Sequence, residues 1–374
     1  MKLALCLFKY FPFGGMQRNF RAIALEALRR GHAVRVYTGA WEGPPVDGIE
    51  LVTVPLRGRT TQSRQRHYAR FVHAHLGAHP VERVVGFNRM PGLDVYYGAD
   101  SCEAARLDGA IGAVKRLLPR SRHLLAFERA VFAAEPPPRL MFVAERQRTQ
   151  CLRHYPAAAR APSTLLPPGI ARQDVDALAA TRAATRAALG IADHQLLLLA
   201  VGSGFRTKGL ARTLRALAAL PAPLGARARL FVAGDDRADA FLRLARQLGI
   251  ADSVHFLGGR DDVPQLLAAA DLLLHPALFE AGGAVLLEAA VAGLPVLASA
   301  ACGFAPWIER HDFGRVIPEP FAQPEYQRLL RGMLEADAAQ RARWSANGRQ
   351  LARSGDIYDR APRALDFIEQ GGPR

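Results

Sequence analysis

The chain has 374 residues, of which 50% are hydrophobic and 22% charged, a composition that excludes an intrinsically disordered protein. Its four cysteines lie far apart without a Cys-x-x-Cys pair, which excludes a zinc ribbon and a disulfide scaffold and fits a reducing compartment. The net charge of +15 is uneven, because residues 1–170 hold 25 basic and 12 acidic residues and residues 171–374 hold 24 and 22. The first half should therefore attract nucleic acid, anionic lipid headgroups or a phosphorylated substrate.

The first half of the chain begins with the strand, loop, helix and strand of a doubly wound sheet. We predict these elements over residues 2–8, 11–15, 16–30 and 33–38, and further strands over 50–55, 83–87, 94–98 and 140–144. In the loop, Gly14 and Gly15 precede a helix N-terminus, whose free N–H groups can bind an anion. An ordinary turn that needs glycine at a positive φ is equally favoured.

The apolar start of the chain could also be taken for a targeting segment. Lys9 and Arg18 interrupt it, no small-residue cleavage site follows, and no apolar run reaches the roughly 18 residues of a membrane-spanning helix. We therefore expect a buried strand at this position and a cytoplasmic protein.

A Pro/Ala-rich stretch over residues 156–169 indicates a domain boundary. The strands predicted after it cover 195–201, 229–233, 254–257, 272–275 and 295–299, and the helices cover 209–219, 238–248, 262–270 and 283–292. The final segment, about 358–370, has the pattern of an isolated amphipathic helix. The sequence thus predicts an α/β protein with two successive doubly wound domains.

A glycine-rich loop over residues 202–209 follows a predicted strand and precedes a helix. Its basic residues, Arg206 and Lys208, lie where the carboxyl end of a strand meets a crevice, which is the usual position of phosphates in such folds. The pair can neutralise a diphosphate leaving group, although a solvated basic loop is equally favoured by these residues alone.

The most specific motif contains two glutamates, Glu280 and Glu288, which stand eight residues apart. Glu280 lies in a loop and Glu288 about one turn into the next helix, so both carboxylates can face a ligand above the helix N-terminus. The residues between them expose backbone N–H groups suited to a diphosphate or a sugar hydroxyl: Ala281, Gly282 and Gly283. Because apolar residues surround Glu288, we favour ligand binding over a solvated surface position.

This setting resembles the E-x7-E motif of retaining family-4 glycosyltransferases. Longer stretches resemble the lipopolysaccharide core glucosyltransferase I family: residues 10–18, 35–38, 41–43, 83–88, 90–96 and 275–277. Members transfer glucose from UDP-glucose to the inner-core heptose of a lipopolysaccharide precursor. The resemblance implies a GT-B fold, with two Rossmann-like doubly wound domains facing across a cleft.

The resemblance also implies how the chain is divided. Residues 1–165 would form an N-terminal acceptor-binding domain, which a C-terminal crossover helix within 355–374 completes. Residues 166–354 would form the nucleotide-sugar-binding domain.

Several donor contacts follow from the resemblance. Glu288 should hold the ribose hydroxyls of UDP, and Glu280 should bind glucose hydroxyls beside the N–H groups of residues 281–283. Lys208 should neutralise the diphosphate, with Gly15 approaching it from the other domain. Arg260 lies where the family contacts uracil.

Other positions concern the transferred sugar and departures from the family pattern. Asp100 should point into the cleft near the transferred sugar. Asn19 stands where the family generally has an acidic residue. The family usually has an arginine before the loop lysine, where this chain has Thr207, and Arg206 would take its place. The resemblance implies UDP-glucose as the donor substrate. No metal-binding Asp-x-Asp is evident, so we expect no metal, and we expect no cofactor. The leaving phosphate would accept the proton of the incoming hydroxyl.

Segment 103–132 carries six basic and three acidic residues. Its apolar residues are Ile111, Val114, Leu117, Leu118, Leu124, Leu125 and Phe127. The pattern resembles a basic amphipathic element at a membrane surface, and a helical hairpin packed on the first domain also fits it. We favour contact through Lys115, Arg116, Arg120 and Arg122, because the acceptor is embedded in a bilayer. We therefore expect peripheral binding to the anionic cytoplasmic face of the inner membrane.

Other functions stay open from sequence. A GT-B retaining transferase with another donor sugar or acceptor is the main alternative. A non-catalytic protein that binds nucleic acid or a membrane surface would also explain the charge. No helix-turn-helix or RNA-recognition signature is present, so we expect no nucleic-acid partner. A nicotinamide dehydrogenase is disfavoured because GxGxxG is absent.

Overall fold

The chain divides into two compact units. Unit 1 comprises Met1–Gly169 and Asp359–Arg374, and unit 2 comprises Ile170–Tyr358. The structure, a computed structural model, describes residues 1–12, 14–353, 355 and 357–370, and for residues 110 and 111 it describes only the backbone. Phe13 of the predicted loop, the side chain of Ile111 and residues 354, 356 and 371–374 therefore lie outside the description.

Unit 1 is built on a parallel sheet of seven strands in the order β3-β2-β1-β4-β5-β6-β7. The strands are β1 Lys2–Cys6, β2 Ala33–Thr38, β3 Ile49–Thr53, β4 Arg83–Gly86, β5 Val95–Gly98, β6 Arg139–Phe142 and β7 Ser163–Leu165. Strand β1 has neighbours on both sides, and its apolar side chains are buried because helices cover a parallel sheet on both faces. The strand order reverses at β1, which places a ligand crevice at its carboxyl end.

The helices of unit 1 up to the boundary are α1 Gly15–Arg29, α2 Thr61–Ala78, α3 Glu103–Arg106, α4 Ala110–Arg116, α5 Pro119–Phe132 and α6 Glu145–His154. Helix α1 buries Phe20, Ile23 and Ala27, three of the four residues that the 3.6-residue period places on its apolar face. Segment 103–132 folds as three helices, α3 to α5.

Unit 2 has a parallel sheet of six strands in the order β10-β9-β8-β11-β12-β13. The strands are β8 Leu196–Val201, β9 Ala228–Ala233, β10 Val254–Gly258, β11 Leu272–His275, β12 Val296–Ser299 and β13 Gly314–Ile317. Its helices are α7 Val175–Ala180, α8 Arg182–Ala188, α9 Leu210–Ala218, α10 Ala222–Gly225, α11 Asp239–Gln247, α12 Val263–Ala269, α13 Ala284–Val291, α14 Ala305–Arg310, α15 Gln323–Glu335 and α16 Ala338–Arg353. The order reverses between β8 and β11, so the loops after these strands form the ligand-binding edge.

The last helix, α17 Arg360–Glu369, belongs to unit 1 although it follows unit 2 in the sequence. It is not isolated: Arg30 at the end of α1 donates to Asp366 and to Glu369, both at 2.8 Å. Arg360 donates to the buried hydroxyl of Tyr97 at 2.9 Å. The helix therefore closes one face of the unit 1 core.

The two parallel doubly wound sheets confirm the predicted α/β class. Every predicted strand is present, with ends that differ by up to two residues; the first, predicted over 2–8, ends at Cys6. Two short edge strands, β7 and β13, were not predicted. Among the described residues, no helix combines the length and the apolar character needed to cross a bilayer.

Candidate active site

Two loops meet at the carboxyl edge of the unit 2 sheet. One follows β8 and carries Lys208, and the other follows β11 and carries Glu280. The N–H of Leu278 donates to the carbonyl of Thr207 at 2.8 Å, which ties the loops together. Gly209 has a φ of +78°, and a Cβ there would lie 2.0 Å from the carbonyl oxygen of Pro276. Glycine at this position is thus required for the loops to approach each other.

The ammonium of Lys208 forms an ion pair with the Glu280 carboxylate. The Nε2 atom of His275, on the buried end of β11, lies 3.6 Å from the same carboxylate oxygen. Burial raises the pKa of Glu280, but the His275 ring and the Lys208 ammonium lower it further, to about 2. Burial lowers the pKa of His275. The site therefore presents an anionic carboxylate and a cation side by side at neutral pH.

Backbone donors lie beside this pair. Within the part of the chain that the structure describes, the N–H groups of Ala281, Gly282 and Gly283 donate no hydrogen bond to the protein. Bonds from Gly303 N to Glu280 O at 3.1 Å and from Phe304 N to Gly282 O at 2.9 Å hold the loop in place. Donors of this kind suit a phosphate or sugar oxygen.

The other predicted residues of unit 2 lie around this cluster. Glu288 is half-buried in α13, one turn beyond its start. Arg206 is exposed on the β8 loop. Arg260 follows β10, two strands away from β8, and pairs with Asp262 at 2.5 and 2.7 Å. The structure thus brings Lys208 and Glu280 into contact and places Arg260 apart from them.

In unit 1 the loop after β1 carries the predicted glycines. Neither Gly14, with a φ of −83°, nor Gly15 has a positive φ, so the expectation of a turn that needs one is wrong. A Cβ on Gly14 would lie 1.9 Å from Gln17 Oε1, whereas a Cβ on Gly15 would meet nothing within 4 Å. Asn19 Nδ2 donates to Gly15 O at 3.0 Å. A side chain at Gly14 would therefore displace the Gln17 side chain, and the space over Gly15 is open to a ligand.

Asp100 follows β5 at the same edge of unit 1, with an exposed side chain. Its carbonyl oxygen accepts hydrogen bonds from Gln147 Nε2 at 2.7 Å and from Arg89 Nη2 at 3.3 Å. Arg89 also donates to Ser101 O at 2.5 Å. The backbone of the Asp100 loop is thus held by two side chains that the sequence analysis did not single out.

Arg89 is anchored in turn by a buried carboxylate. Glu128, fully buried in α5, lies 3.1 Å from the Arg89 guanidinium. It also accepts the N–H groups of Glu103 and Ala104 at 2.7 and 2.9 Å and the hydroxyl of Tyr155 at 2.9 Å. Its signal in the sequence is slight: it is the one acidic residue between Asp108 and Glu135.

Segment 103–132 packs partly on the unit 1 core and is partly exposed. Helix α5 packs on the unit 1 core through Leu125 and Phe127, as the helical-hairpin alternative predicts. The end of α4 and the turn after it expose apolar side chains: Val114 is 69%, Leu117 76% and Leu118 54% accessible. The basic residues of the prediction are exposed beside them: Lys115, Arg116, Arg120 and Arg122.

No group of three or more His, Cys, Asp or Glu side chains suited to a metal ion occurs among the described residues.

Comparison with known proteins places the chain in a family. Residues 181–351 match the family model for group 1 glycosyl transferases. The chain is 45% identical over 373 residues to the lipopolysaccharide glucosyltransferase WaaG of Escherichia coli (strain K12), covering 99% of both proteins. It is 27% identical to a D-inositol 3-phosphate glycosyltransferase of Saccharomonospora viridis, covering 82% of this chain and 78% of that protein.

Solved structures agree. The crystal structure of WaaG, described as a glycosyltransferase involved in lipopolysaccharide biosynthesis, matches with a TM-score of 0.93 at 45% identity over 99% of this chain and 100% of that one. The Anabaena protein Alr3699/HepE in complex with UDP-glucose shares the fold, with a TM-score of 0.72 at 19% identity over 99% and 98%. The chain therefore has the GT-B fold and belongs to the lipopolysaccharide core glucosyltransferase I family of group 1 glycosyltransferases.

Proposed function

We propose that this glycosyltransferase transfers glucose from UDP-glucose, with retention of configuration, to the inner-core heptose of a lipopolysaccharide precursor. The observation that carries the proposal is the Lys208–Glu280 pair beside the backbone N–H groups of residues 281–283, which donate to no acceptor among the described residues. A nucleotide-sugar site requires a cation for the diphosphate, an anion for the sugar hydroxyls, and N–H donors for phosphate and sugar oxygens. The name of the 45% identical relative supports the glucosyl donor and the lipopolysaccharide acceptor.

Each charged residue then has a distinct role toward the donor. Lys208 exchanges its contact with Glu280 for the diphosphate, and Arg206, which is exposed, adds a second positive charge. Glu280 is anionic, since its pKa is about 2, so it accepts hydrogen bonds from glucose hydroxyls. Glu288 accepts the ribose hydroxyls. Arg260 contacts uracil after releasing Asp262.

The residues of unit 1 have proposed roles as well. The open space over Gly15 supports a close approach to the diphosphate, and Gly14 and Asn19 support that turn of α1. Asp100, whose carboxylate is exposed, orients the acceptor hydroxyl near the transferred sugar. These assignments follow from the family resemblance.

The chemical step needs positioning and charge neutralisation. The acceptor oxygen forms the new bond to the anomeric carbon on the face from which UDP departs, and the bond from that carbon to the diphosphate oxygen breaks. The departing phosphate takes the proton of the acceptor hydroxyl. Lys208 and the N–H groups of residues 281–283 stabilise the negative charge that develops on the diphosphate.

A donor screen tests this assignment. UDP release is measured with UDP-glucose, UDP-galactose and UDP-N-acetylglucosamine, with and without a purified heptose-containing acceptor. We expect acceptor-dependent release to be fastest with UDP-glucose. Faster release with another sugar would favour the alternative GT-B transferase, and no release with any of them would contradict an enzymatic role.

We also propose that the exposed surface of segment 103–132 docks on the anionic cytoplasmic face of the inner membrane. The support is the exposure of Val114, Leu117 and Leu118 beside the basic residues of α4 and α5. Apolar side chains can enter the headgroup region while the cations contact anionic lipids.

Neutralising Lys115, Arg116 and Arg120 with glutamine tests the docking. Each basic residue near an anionic surface contributes about 1 kcal/mol, so the triple variant should lose up to about 3 kcal/mol of membrane affinity. Liposome co-sedimentation at low and high salt measures it, and UDP affinity should not change. The matched control neutralises three exposed arginines of unit 2, Arg215, Arg243 and Arg246. Equal binding of wild type to neutral and anionic vesicles would contradict docking. The basic residues of segment 103–132 would then bind the acceptor instead.

A further inference from the structure

A second concave site lies at the opposite edge of unit 2. An open cavity of about 800 Å³ lies at the amino ends of the parallel strands, where Leu196 begins β8, Asp271 precedes β11 and Pro295 precedes β12. We call it the basal cavity. Lys208 and Glu280 lie after the carboxyl ends of β8 and β11, so the basal cavity is separate from the donor-binding edge.

Two of its five arginines are structural. Arg182 and Arg186 pair with the Asp271 carboxylate at 2.5 and 3.0 Å. Arg182 also donates to the carbonyl oxygens of residues 268, 269 and 270 at the end of α12, at 2.9, 2.9 and 2.6 Å. The ion pairs neutralise the negative charge of Asp271, and the hydrogen bonds hold one wall of the cavity in place.

Three other arginines line the basal cavity. The side chain of Arg227 donates from Nε to His194 O at 2.8 Å, and that of Arg341 donates to Leu334 O at 3.5 Å. Arg227, Arg341 and Arg349 form no ion pair within the described ranges. Besides Asp271, Asp193 is the one carboxylate among the described residues that line the cavity, so an excess of positive charge remains there.

The polar wall is a stripe on α16. Arg341, Ser345 and Arg349 recur every four residues, so they lie along one face of the helix. Two glycines bring this face to the cavity. A Cβ on Gly348 would lie 2.5 Å from Ala290 O in α13, and a Cβ on Gly293, whose φ is +73°, would lie 2.5 Å from Arg349 Nε.

We propose that the basal cavity binds a small, multiply phosphorylated anion. Its volume lies within the roughly 300–1,000 Å³ of small-molecule sites. One guanidinium group can bind two phosphate oxygens at once. The Ser345 hydroxyl adds a donor between Arg341 and Arg349. A ligand with one charged group engages one of the three unpaired arginines, whereas a chain of phosphoryl groups engages them together.

Calorimetric titration of the full chain with inorganic tripolyphosphate tests the proposal, with citrate as the carboxylate probe. The Arg341→Gln/Arg349→Gln variant should bind tripolyphosphate at least about tenfold more weakly, because it loses charge-assisted hydrogen bonds. Arg227→Gln, on another wall, should weaken binding independently. The matched control, Arg243→Gln/Arg246→Gln on α11, removes the same charge outside the cavity and should leave binding unchanged.

UDP affinity checks that the variants of Arg227, of Arg341 and Arg349, and of Arg243 and Arg246 are folded, and we expect it to be unchanged in these three. The proposal is overturned if wild type binds no tripolyphosphate at millimolar concentrations or if the control variant loses as much affinity as the α16 variant. It is also overturned if Lys208→Met abolishes binding while the α16 variant and Arg227→Gln retain it, since the probe then occupies the donor loop. Citrate binding as tight as that of tripolyphosphate would contradict the phosphate class.

Discussion

The two units hold their candidate site residues in different ways. At the edge of unit 2, Lys208 contacts the Glu280 carboxylate directly, and His275 lies behind it. At the corresponding edge of unit 1, the Asp100 side chain is exposed, and the protein holds the carbonyl of that residue, through Gln147 and Arg89. Substitutions in unit 2 should therefore act on ligand contacts themselves, whereas those in unit 1 should act on the position and stability of a loop.

The largest effect is expected where unit 1 has a buried charge pair. Glu128→Gln leaves the Arg89 guanidinium without its anion, and breaking such a pair costs about 3–5 kcal/mol of unfolding free energy. Thermal and urea unfolding measure the loss. Glu325→Gln, which removes the partner of the exposed Arg328, is the control and should change stability little. Similar losses in the two variants would contradict the distinction drawn for unit 1.

In unit 2, Glu280→Gln should lower turnover with UDP-glucose far more than it weakens UDP binding. Loss of one such electrostatic contact in the transition state costs about 100- to 1,000-fold in rate. Steady-state kinetics and calorimetry with UDP separate the two quantities. If UDP affinity fell as much as turnover, Glu280 would contact the nucleotide, and the roles of the two glutamates would be wrongly divided.

Glu288→Ala tests the same division of roles between the two glutamates through the nucleotide. Hydrogen bonds to a charged group contribute about 1.5–3 kcal/mol, so UDP affinity should fall roughly ten- to a hundredfold. Calorimetry measures this, and Glu309→Ala, an exposed glutamate of α14, controls for the lost charge. Unchanged UDP affinity in a folded Glu288→Ala protein would remove the ribose assignment.

The smallest effect concerns pH. Because burial lowers the pKa of His275, the unfolded chain binds a proton there before the folded chain does. The unfolding free energy should thus fall by up to about 1.4 kcal/mol per pH unit as the pH drops below the ordinary value of 6.5. Urea titrations of wild type and His275→Asn between pH 7.5 and 5.5 compare the slopes. His75, His123 and His255 also have lowered pKa values and contribute to the pH slope of both proteins. Only a shallower slope in His275→Asn than in wild type therefore supports the lowered pKa of His275.

Most of the fold could be predicted from local sequence patterns. Strands β1, β2, β11 and β12 are short apolar runs next to glycines and helical periods, and such patterns depend on neighbours in sequence alone. Strands β7 and β13 have three and four residues and lie at sheet edges, so their apolar runs are too short to stand out.

The site residues divide in the same way. Glu280 and Lys208 each belong to a loop motif and were found separately, but their contact joins positions 72 residues apart and depends on β8 pairing with β11. Glu128 was missed because its partners come from three separate segments of unit 1. A buried carboxylate on an otherwise basic helix has no periodicity that marks it.

The return of α17 to unit 1 has a consequence for how the protein is made. During translation, the first 169 residues leave the ribosome without the helix that supplies Arg360 and the buried Phe367 and Ile368. Unit 2 is contiguous, so it can be completed earlier, although domains usually fold from the N-terminus onward. A premature stop codon ahead of α17 would thus spare unit 2 and damage the unit that was synthesised first.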